Sequence, residues 1–315
     1  MLNLIRNEWM KLWHKKATWI MAGLIVLILI GVSGITKWAD SNMQQPGNQP
    51  SWEQSLAESK AIYTTQLADP NIDEDTKKQM EEEIAIIDYR LDENQAPATG
   101  DSRAQHILDS HVLLSMAILF AVIAAGSIVS AEFSQGTIKM LLSRPVKRWK
   151  ILTSKYITSL LYALALTILA LLATILAGYM FYDSGSMTIL DYQNGSVVEV
   201  SYWGRVFALY SLQFVGIVIY TTFAFMIGSV FRSSSLAIGL SIFLLFVGPN
   251  IVFFLSRYEI AKYIIFAHTD LTMFITGQMF IPGITWPFSV AIISVYMLIF
   301  LVISYLSFIK RDVKA

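Results

Sequence analysis

Residues 151–180 read ILTSKYITSLLYALALTILALLATILAGYM, an apolar run in which Lys155 is the one charged side chain. An α-helix rises about 1.5 Å per residue and the hydrocarbon core of a bilayer is about 30 Å thick, so roughly 20 apolar residues cross it. The run is longer than this minimum. It therefore predicts a membrane-spanning helix over 151–180, with room for tilt.

Five further apolar segments have the length that a crossing needs, and no segment carries a charge near its middle. They cover residues 17–35, 112–130, 206–231, 236–255 and 287–309. The composition agrees, because 55% of the residues are hydrophobic and 15% are charged, against about 25% charged in ordinary globular domains. The sequence predicts an all-α polytopic membrane protein with six transmembrane helices. The absence of cysteine from the sequence excludes disulfides and thiolate metal sites.

The basic residues are concentrated on one side of the predicted spans. That side carries 14 Lys and Arg against three acids, whereas the other side carries nine against 20. Because short cytoplasmic loops are enriched in Lys and Arg, both termini are predicted to be cytoplasmic. The tail, 310–315, is cytoplasmic in this scheme. The formal net charge of zero gives no case for binding nucleic acid.

An acidic segment, 37–110, follows the first span and is predicted to be external. It holds 15 acids and six basic residues. Ser51 with Gln54 has the pattern of a capping box, and a second helix is expected to begin near Asn71 or Asp73. Two amphipathic helices here predict an external helical hairpin. A partly disordered acidic spacer is the alternative.

Two other segments outside the spans have distinct patterns. In residues 1–16, apolar side chains form one helical stripe beside four basic residues, which predicts a cytoplasmic interfacial helix. The alternative is simply the positive flank of the first span. Residues 256–286 are broken by Gly277, Pro282 and Gly283, so they predict an external or re-entrant segment.

The cytoplasmic loop 131–150 contains the most informative motif. Gly136 is expected to end one helix in a left-handed cap, and Thr137 to cap a short helix that Pro145 stops. A short amphipathic helix between two spans is suited to docking into a groove on a cytoplasmic partner. An ordinary basic loop that anchors the spans to lipid headgroups is the alternative.

This loop resembles the signature loop of permease subunits of bacterial type-2 ATP-binding-cassette (ABC) exporters. The matching residues are Glu132, Gly136, Thr137, Lys139, Leu141, Leu142, Ser143, Arg144, Pro145 and Arg148, with Lys155 after them. The start of the chain, with Asn7, Glu8, Trp9, Lys11 and Leu12, is similar to the family's N-terminal helix. The end, with Tyr305, Leu306, Phe308, Lys310, Arg311 and Asp312, is similar to its closing segment.

The resemblance implies a transmembrane subunit of an exporter in a bacterial plasma membrane, with a separate cytoplasmic ABC ATPase subunit and a second permease copy or paralogue. ATP and magnesium would bind in the partner ATPase, and this chain would not itself be an enzyme, since it lacks the G-x-x-x-x-G-K-[ST] motif. The residues implied to couple the spans to the ATPase are Glu132, Gly136, Thr137, Lys139, Leu141, Leu142 and Arg144.

Polar residues on the fourth span are candidates for a translocation path or for bonds to neighbouring helices: Gln213, Tyr220, Thr221 and Thr222. The four histidines are dispersed, so no metal site is predicted. A secondary transporter is disfavoured because the spans lack ionisable groups near their middles. A non-transporting membrane scaffold or sensor is the other alternative.

Overall fold

A computed structural model describes residues 1–43, 51–70, 72, 74–98, 102–137, 146–231, 233–277, 281 and 283–310. The first half of these residues forms α1 (Leu2–Trp13), α2 (Lys16–Met43), α3 (Trp52–Leu67), α4 (Glu74–Asp92), α5 (Arg103–Asp109), a 3-10 turn (Ser110–Leu114) and α6 (Ser115–Ser134). The second half forms α7 (Arg148–Phe181), β1 (Ile189–Gln193), β2 (Ser196–Val200), α8 (Tyr202–Val230), α9 (Ser234–Leu255), 3-10 turns (Glu259–Tyr263 and Ile265–His268), α10 (Met273–Thr276) and α11 (Trp286–Lys310).

Among the described residues, six helical stretches are long and apolar enough to cross a membrane. They are Lys16–Asn42, Arg103–Ser134, Arg148–Phe181, Tyr202–Val230, Ser234–Leu255 and Trp286–Ile309. Each contains one of the six predicted spans, apart from residue 231 at the end of the fourth. The structure is therefore that of a mainly helical polytopic protein. Its spans extend beyond the predicted bounds because their polar ends continue the helices.

The chain divides into two compact units. Unit 1 comprises Met1–Ile28, Val112–Leu172 and Tyr210–Ala315, and unit 2 comprises Leu29–His111 and Ala173–Leu209.

Small residues allow close helix packing inside unit 1. Ala117, Ala121 and Ala125 on α6 are all buried, as their four-residue spacing favours. A Cβ atom added to Gly228 would lie 2.4 Å from the carbonyl oxygen of Gly126. Helices α6 and α8 therefore approach each other at a point where a side chain would not fit.

Helices α3 and α4 pack against each other within unit 2, and a salt bridge joins Lys60 to Asp88. The capping box expected at Ser51 is present. The backbone N–H of Gln54 donates to Ser51 Oγ at 3.3 Å, and the N–H of Ser51 donates to Gln54 Oε1 at 3.2 Å. Helix α4 begins at Glu74. The predicted starting points, Asn71 and Asp73, lie outside the described residues.

A β-hairpin in unit 2 adds to the helical architecture that the sequence predicted. Strands β1 and β2 pair antiparallel, with Gln193 opposite Ser196. The two turn residues, Asn194 and Gly195, have φ values of 52° and 86°. An Asn-Gly pair favours a two-residue turn with two positive φ angles. The signal for this hairpin is thus present in the sequence, although its two five-residue strands are much shorter than the apolar runs that mark the spans.

Candidate functional site

A buried lysine joins three helices of unit 1. Lys155 lies in the second turn of α7, and its side chain is 1% exposed. Its Nζ atom donates to Glu8 Oε2 at 2.7 Å and to Glu132 Oε1 at 2.9 Å. Glu8 belongs to α1 and Glu132 to α6, and both carboxylates are largely buried. One ammonium group therefore holds the N-terminal helix, the end of one span and the start of the next.

Lys11 completes this group, which we call the four-residue ion cluster (Glu8, Lys11, Glu132 and Lys155). Lys11 Nζ lies 3.3 Å from Glu8 Oε1 and 3.3 Å from Glu132 Oε1. Partial burial opposes its charge, but the two carboxylates outweigh that effect and raise the pKa of Lys11. Two acids and two bases balance, so charges that would be costly to bury alone are compensated.

The end of α6 connects the ion cluster to the start of the predicted coupling loop. Gly136 has a φ of 70°, the left-handed conformation expected at this helix end. Beyond it, Thr137 Oγ1 donates to Glu132 Oε2 at 2.5 Å. Both carboxylate oxygens of Glu132 are therefore engaged, one by lysines and the other by the loop. The Thr137 hydroxyl thus bonds to the Glu132 carboxylate. The short helix that Thr137 is predicted to cap lies outside the described residues.

Four of the residues implied to couple the spans to an ATPase are outside the described part of the chain: Lys139, Leu141, Leu142 and Arg144. The other three, Glu132, Gly136 and Thr137, lie together at the end of α6.

Helix α11 contacts the ends of the same two spans. The Thr153 and Tyr305 hydroxyls share a hydrogen bond of 2.5 Å, and Arg148 Nη1 donates to the Ile309 carbonyl oxygen at 3.2 Å. The rings of Phe133 and Phe308 meet edge to face, with centroids 6.4 Å apart. The closing segment therefore packs against α6 and α7 on either side of the loop.

The connection between α1 and α2 is fixed by local contacts. Thr18 Oγ1 donates to the Leu12 carbonyl oxygen at 2.6 Å, and Trp19 Nε1 donates to the Trp13 carbonyl oxygen at 2.9 Å. The ring of Trp13 also lies edge-on to Tyr162 on α7, with centroids 6.0 Å apart. These contacts hold α1 across the ends of the spans rather than continuing α2.

The candidate path residues on α8 are packed inside the protein in this conformation. Tyr220 stacks on Phe266, with centroids 5.9 Å apart, and Thr222 Oγ1 lies 3.0 Å from the Tyr156 hydroxyl. Thr221 is fully buried, and Gln213 is half-buried. Neither Thr221 Oγ1 nor Gln213 Oε1 has a hydrogen-bond partner within the described part of the chain. A path along these residues would open only if neighbouring elements moved away.

Sequence reasoning named Glu8, Lys11 and Lys155 as parts of matching segments but did not place them in one site. Each carries a detectable signal. Glu8 is the one acid among the first 16 residues, and Lys155 interrupts a long apolar run. A charged side chain within an apolar run needs a partner of opposite charge. The sequence alone does not show which of the 23 acidic residues is that partner.

Comparison with known proteins places the chain in a family. A family model described as "Protein of unknown function (DUF2705)" matches residues 79–314. The chain belongs to the DUF2705 family. The matched range includes Glu132 and Lys155 and begins after Glu8 and Lys11. Its six long apolar helices make this DUF2705 member a multi-pass membrane protein.

Two relatives come from Bacillus subtilis (strain 168). "Uncharacterized protein YhcI" is 37% identical over 320 residues, which cover 99% of each chain. "Uncharacterized membrane protein YdbK" is 30% identical over 200 residues, which cover 61% of this chain and 76% of the relative. The similarity to the first relative therefore extends through the N-terminal helix, beyond the range that the family model covers.

Proposed function

We propose that this DUF2705 protein is the membrane-spanning permease subunit of an ATP-driven exporter of the ABC type. The observation that carries the proposal is the meeting of the three segments that resemble such permeases. The N-terminal segment supplies Glu8 and Lys11, the loop segment supplies Glu132, and Lys155 joins them. The closing segment packs on the flanks of the same loop through Tyr305 and Phe308. Segments from the start, the middle and the end of the chain thus contact one another in one layer.

The charge distribution supports a cytoplasmic position for this layer. The loop side carries 14 basic residues against three acids, which favours a cytoplasmic location for both termini and the loop. Helix α1 then lies along the inner membrane surface, and helices α3 and α4 of the acidic segment are external. The relative named a membrane protein agrees with a membrane location.

The geometry suits the transmission of movement. A cytoplasmic ATPase subunit docks on the loop 131–150, and its closure on ATP and magnesium displaces that loop. Thr137 carries the displacement to Glu132, and the ion cluster passes it to α1 and α7 as one body. A second copy or a paralogue completes the translocation path, to which Gln213, Tyr220, Thr221 and Thr222 contribute.

The test is purification of the tagged full-length protein from its native membrane in mild detergent, followed by identification of co-purifying proteins and an ATP hydrolysis assay. We expect a stoichiometric ATPase subunit. Leu141→Glu with Leu142→Glu should release it, because two charges replace the apolar contact surface. Ile62→Glu on α3, a similar change at a side chain 49% exposed, should retain it.

Gly136→Pro is expected to retain the spans and to abolish ATP-driven transport, because proline cannot adopt the φ of 70° found there. Unchanged transport in this variant and in the Leu141 and Leu142 variant would reject the coupling role. If no ATPase co-purifies while a control transporter complex stays intact, the permease proposal fails and a scaffold or secondary transporter takes precedence.

A further inference from the structure

A cavity of about 600 Å³ lies beside the ion cluster in unit 1. Its walls come from α1, the first turns of α2, the last three turns of α6 and single residues of α7 and α9. Binding sites for small molecules typically have volumes of about 300–1,000 Å³. The space is therefore large enough for part of a lipid-sized ligand and too small for a whole phospholipid.

The lining of the cavity is divided into a polar and an apolar part. The polar part includes the ion cluster together with Lys15, Gln135 and Thr137. The apolar part consists of Leu12, Ala17, Met21, Ile123, Ala124, Ile128, Ala131 and Ile238. A ligand that fills both parts must itself be amphipathic.

Among the described residues around the cavity, one cation lacks a paired acid. Three lysines and two glutamates of these residues line it, and the ion cluster pairs Lys11 and Lys155 with the two acids. The side chain of Lys15 has no hydrogen bond or ion pair among the described residues. Partial burial and then the positive charge of Lys155 lower the pKa of Lys15, against smaller opposing effects of the Glu132 and Glu8 carboxylates. An anion beside Lys15 would stabilise its charged form.

We propose that this cavity binds an anionic phospholipid of the bilayer, with its phosphate at Lys15 and the start of one acyl chain against Met21, Ile123 and Ile128. Lys15 immediately precedes α2, a membrane-spanning helix, so its ammonium lies at the level of the headgroups. Trp19, 63% exposed one turn later, is the residue type found at that interface. The remaining acyl chain extends into the bilayer. This inference depends on a membrane location and not on export.

The test is native mass spectrometry of the full-length protein in mild detergent, titrated with phosphatidylglycerol or with phosphatidylcholine of the same acyl chains. We expect phosphatidylglycerol to bind about fivefold more tightly, since one lysine near an anionic headgroup contributes about that factor. Lys15→Gln should remove the preference. Lys16→Gln, which makes the same charge change at a neighbour that does not line the cavity, should leave it intact.

A second variant fills space beside the apolar part. Ser127 lies between Ala124 and Ile128 along α6 and lines the cavity, and its hydroxyl donates to the Ala124 carbonyl oxygen of its own helix, at 3.0 Å, with no bond to another helix in the described part of the chain. Ser127→Leu should therefore fill space without breaking a contact between helices, and should weaken phosphatidylglycerol binding at least fivefold. Gel filtration and the lipid-free melting temperature confirm that the variant is folded.

Any of four results would overturn the assignment. Equal binding of the two lipids, or an unchanged preference in Lys15→Gln, removes the anionic site. Unchanged binding in Ser127→Leu places the lipid outside the cavity. Competition by glycerol 3-phosphate at the concentrations effective for phosphatidylglycerol would identify a soluble phosphate as the ligand. Loss of the proposed ATPase would leave all three measurements unaffected, so the two proposals fail separately.

Discussion

Replacing Lys155 by methionine tests the ion cluster directly. Methionine has a similar length and no charge, so it fills the space and leaves Glu8 and Glu132 without their shared ammonium group. Among the described residues, Lys11 would then be the remaining ion-pair partner of both carboxylates, at 3.3 Å from each. The Lys11 side chain is 44% exposed and the Glu8 side chain is 7% exposed. Water therefore screens the charge of Lys11, which compensates the buried Glu8 carboxylate less well than Lys155 does.

The expected loss of stability follows from this geometry. Removing one partner of a buried ion pair costs about 3–5 kcal/mol, because an uncompensated charge stays behind. Lys11 remains as a partial partner, so we expect the lower end, about 3 kcal/mol. For chains of this order of size, each kcal/mol of lost stability lowers the melting temperature by about 2–4 °C. The melting temperature should therefore fall by about 6–12 °C.

The assay is thermal unfolding of the purified variants in one detergent, arranged as a double-mutant cycle with Glu8→Gln. The loss of unfolding free energy in the double variant should be smaller than the sum of the two single losses, by about 1.5 kcal/mol or more. The reason is that the neutral amide of Glu8→Gln no longer needs the charge of Lys155. Lys147→Met removes the same charge from an exposed position and serves as the control. Additive losses, or equal stability of Lys155→Met and Lys147→Met, would refute the reasoning.

Two further predictions concern packing and the hairpin. Gly228→Ala should lower the free energy of unfolding by about 1–3 kcal/mol, because its Cβ would lie 2.4 Å from the Gly126 carbonyl oxygen. Gly23→Ala is the control, since the space around its Cβ is open, and it should not be destabilised in the same melting assay. Asp191→Asn should weaken the 2.6 Å contact from Arg205 Nη2 by about 0.5–1 kcal/mol and speed amide exchange across β1 and β2 about two- to fivefold; unchanged exchange would show that this contact does not hold the hairpin.

The six apolar helices could be predicted from the sequence because a bilayer imposes a length and a polarity on every crossing, and both are visible in a single chain. The run 151–180 is an example: α7 contains all of it. The capping box at Ser51 was equally readable, since a cap depends on residues three positions apart. The hairpin at Asn194 had a local signal too, but its strands are five residues long and fall between two spans.

The ion cluster could not be predicted in the same way. Its members are far apart in the chain, and 147 positions separate Glu8 from Lys155. The sequence shows that Lys155 needs an acid but not that α1 turns back at Trp13 to bring one. That turn depends on Thr18 and Trp19 bonding to the last carbonyl groups of α1, which is a tertiary arrangement rather than a periodic pattern.

The use of charges at this junction has a mechanical consequence that apolar packing would not have. A buried ion pair adds little net stability compared with well-packed apolar residues, but it is satisfied in few arrangements. Glu132 accepts from Lys155, Lys11 and Thr137 at once, so sliding α1 by a single turn would leave at least one buried carboxylate short of partners. Separating α1 from the ends of α6 and α7 therefore costs more than moving them together. Any force on the loop after Thr137 should reach both spans and the N-terminal helix as one displacement.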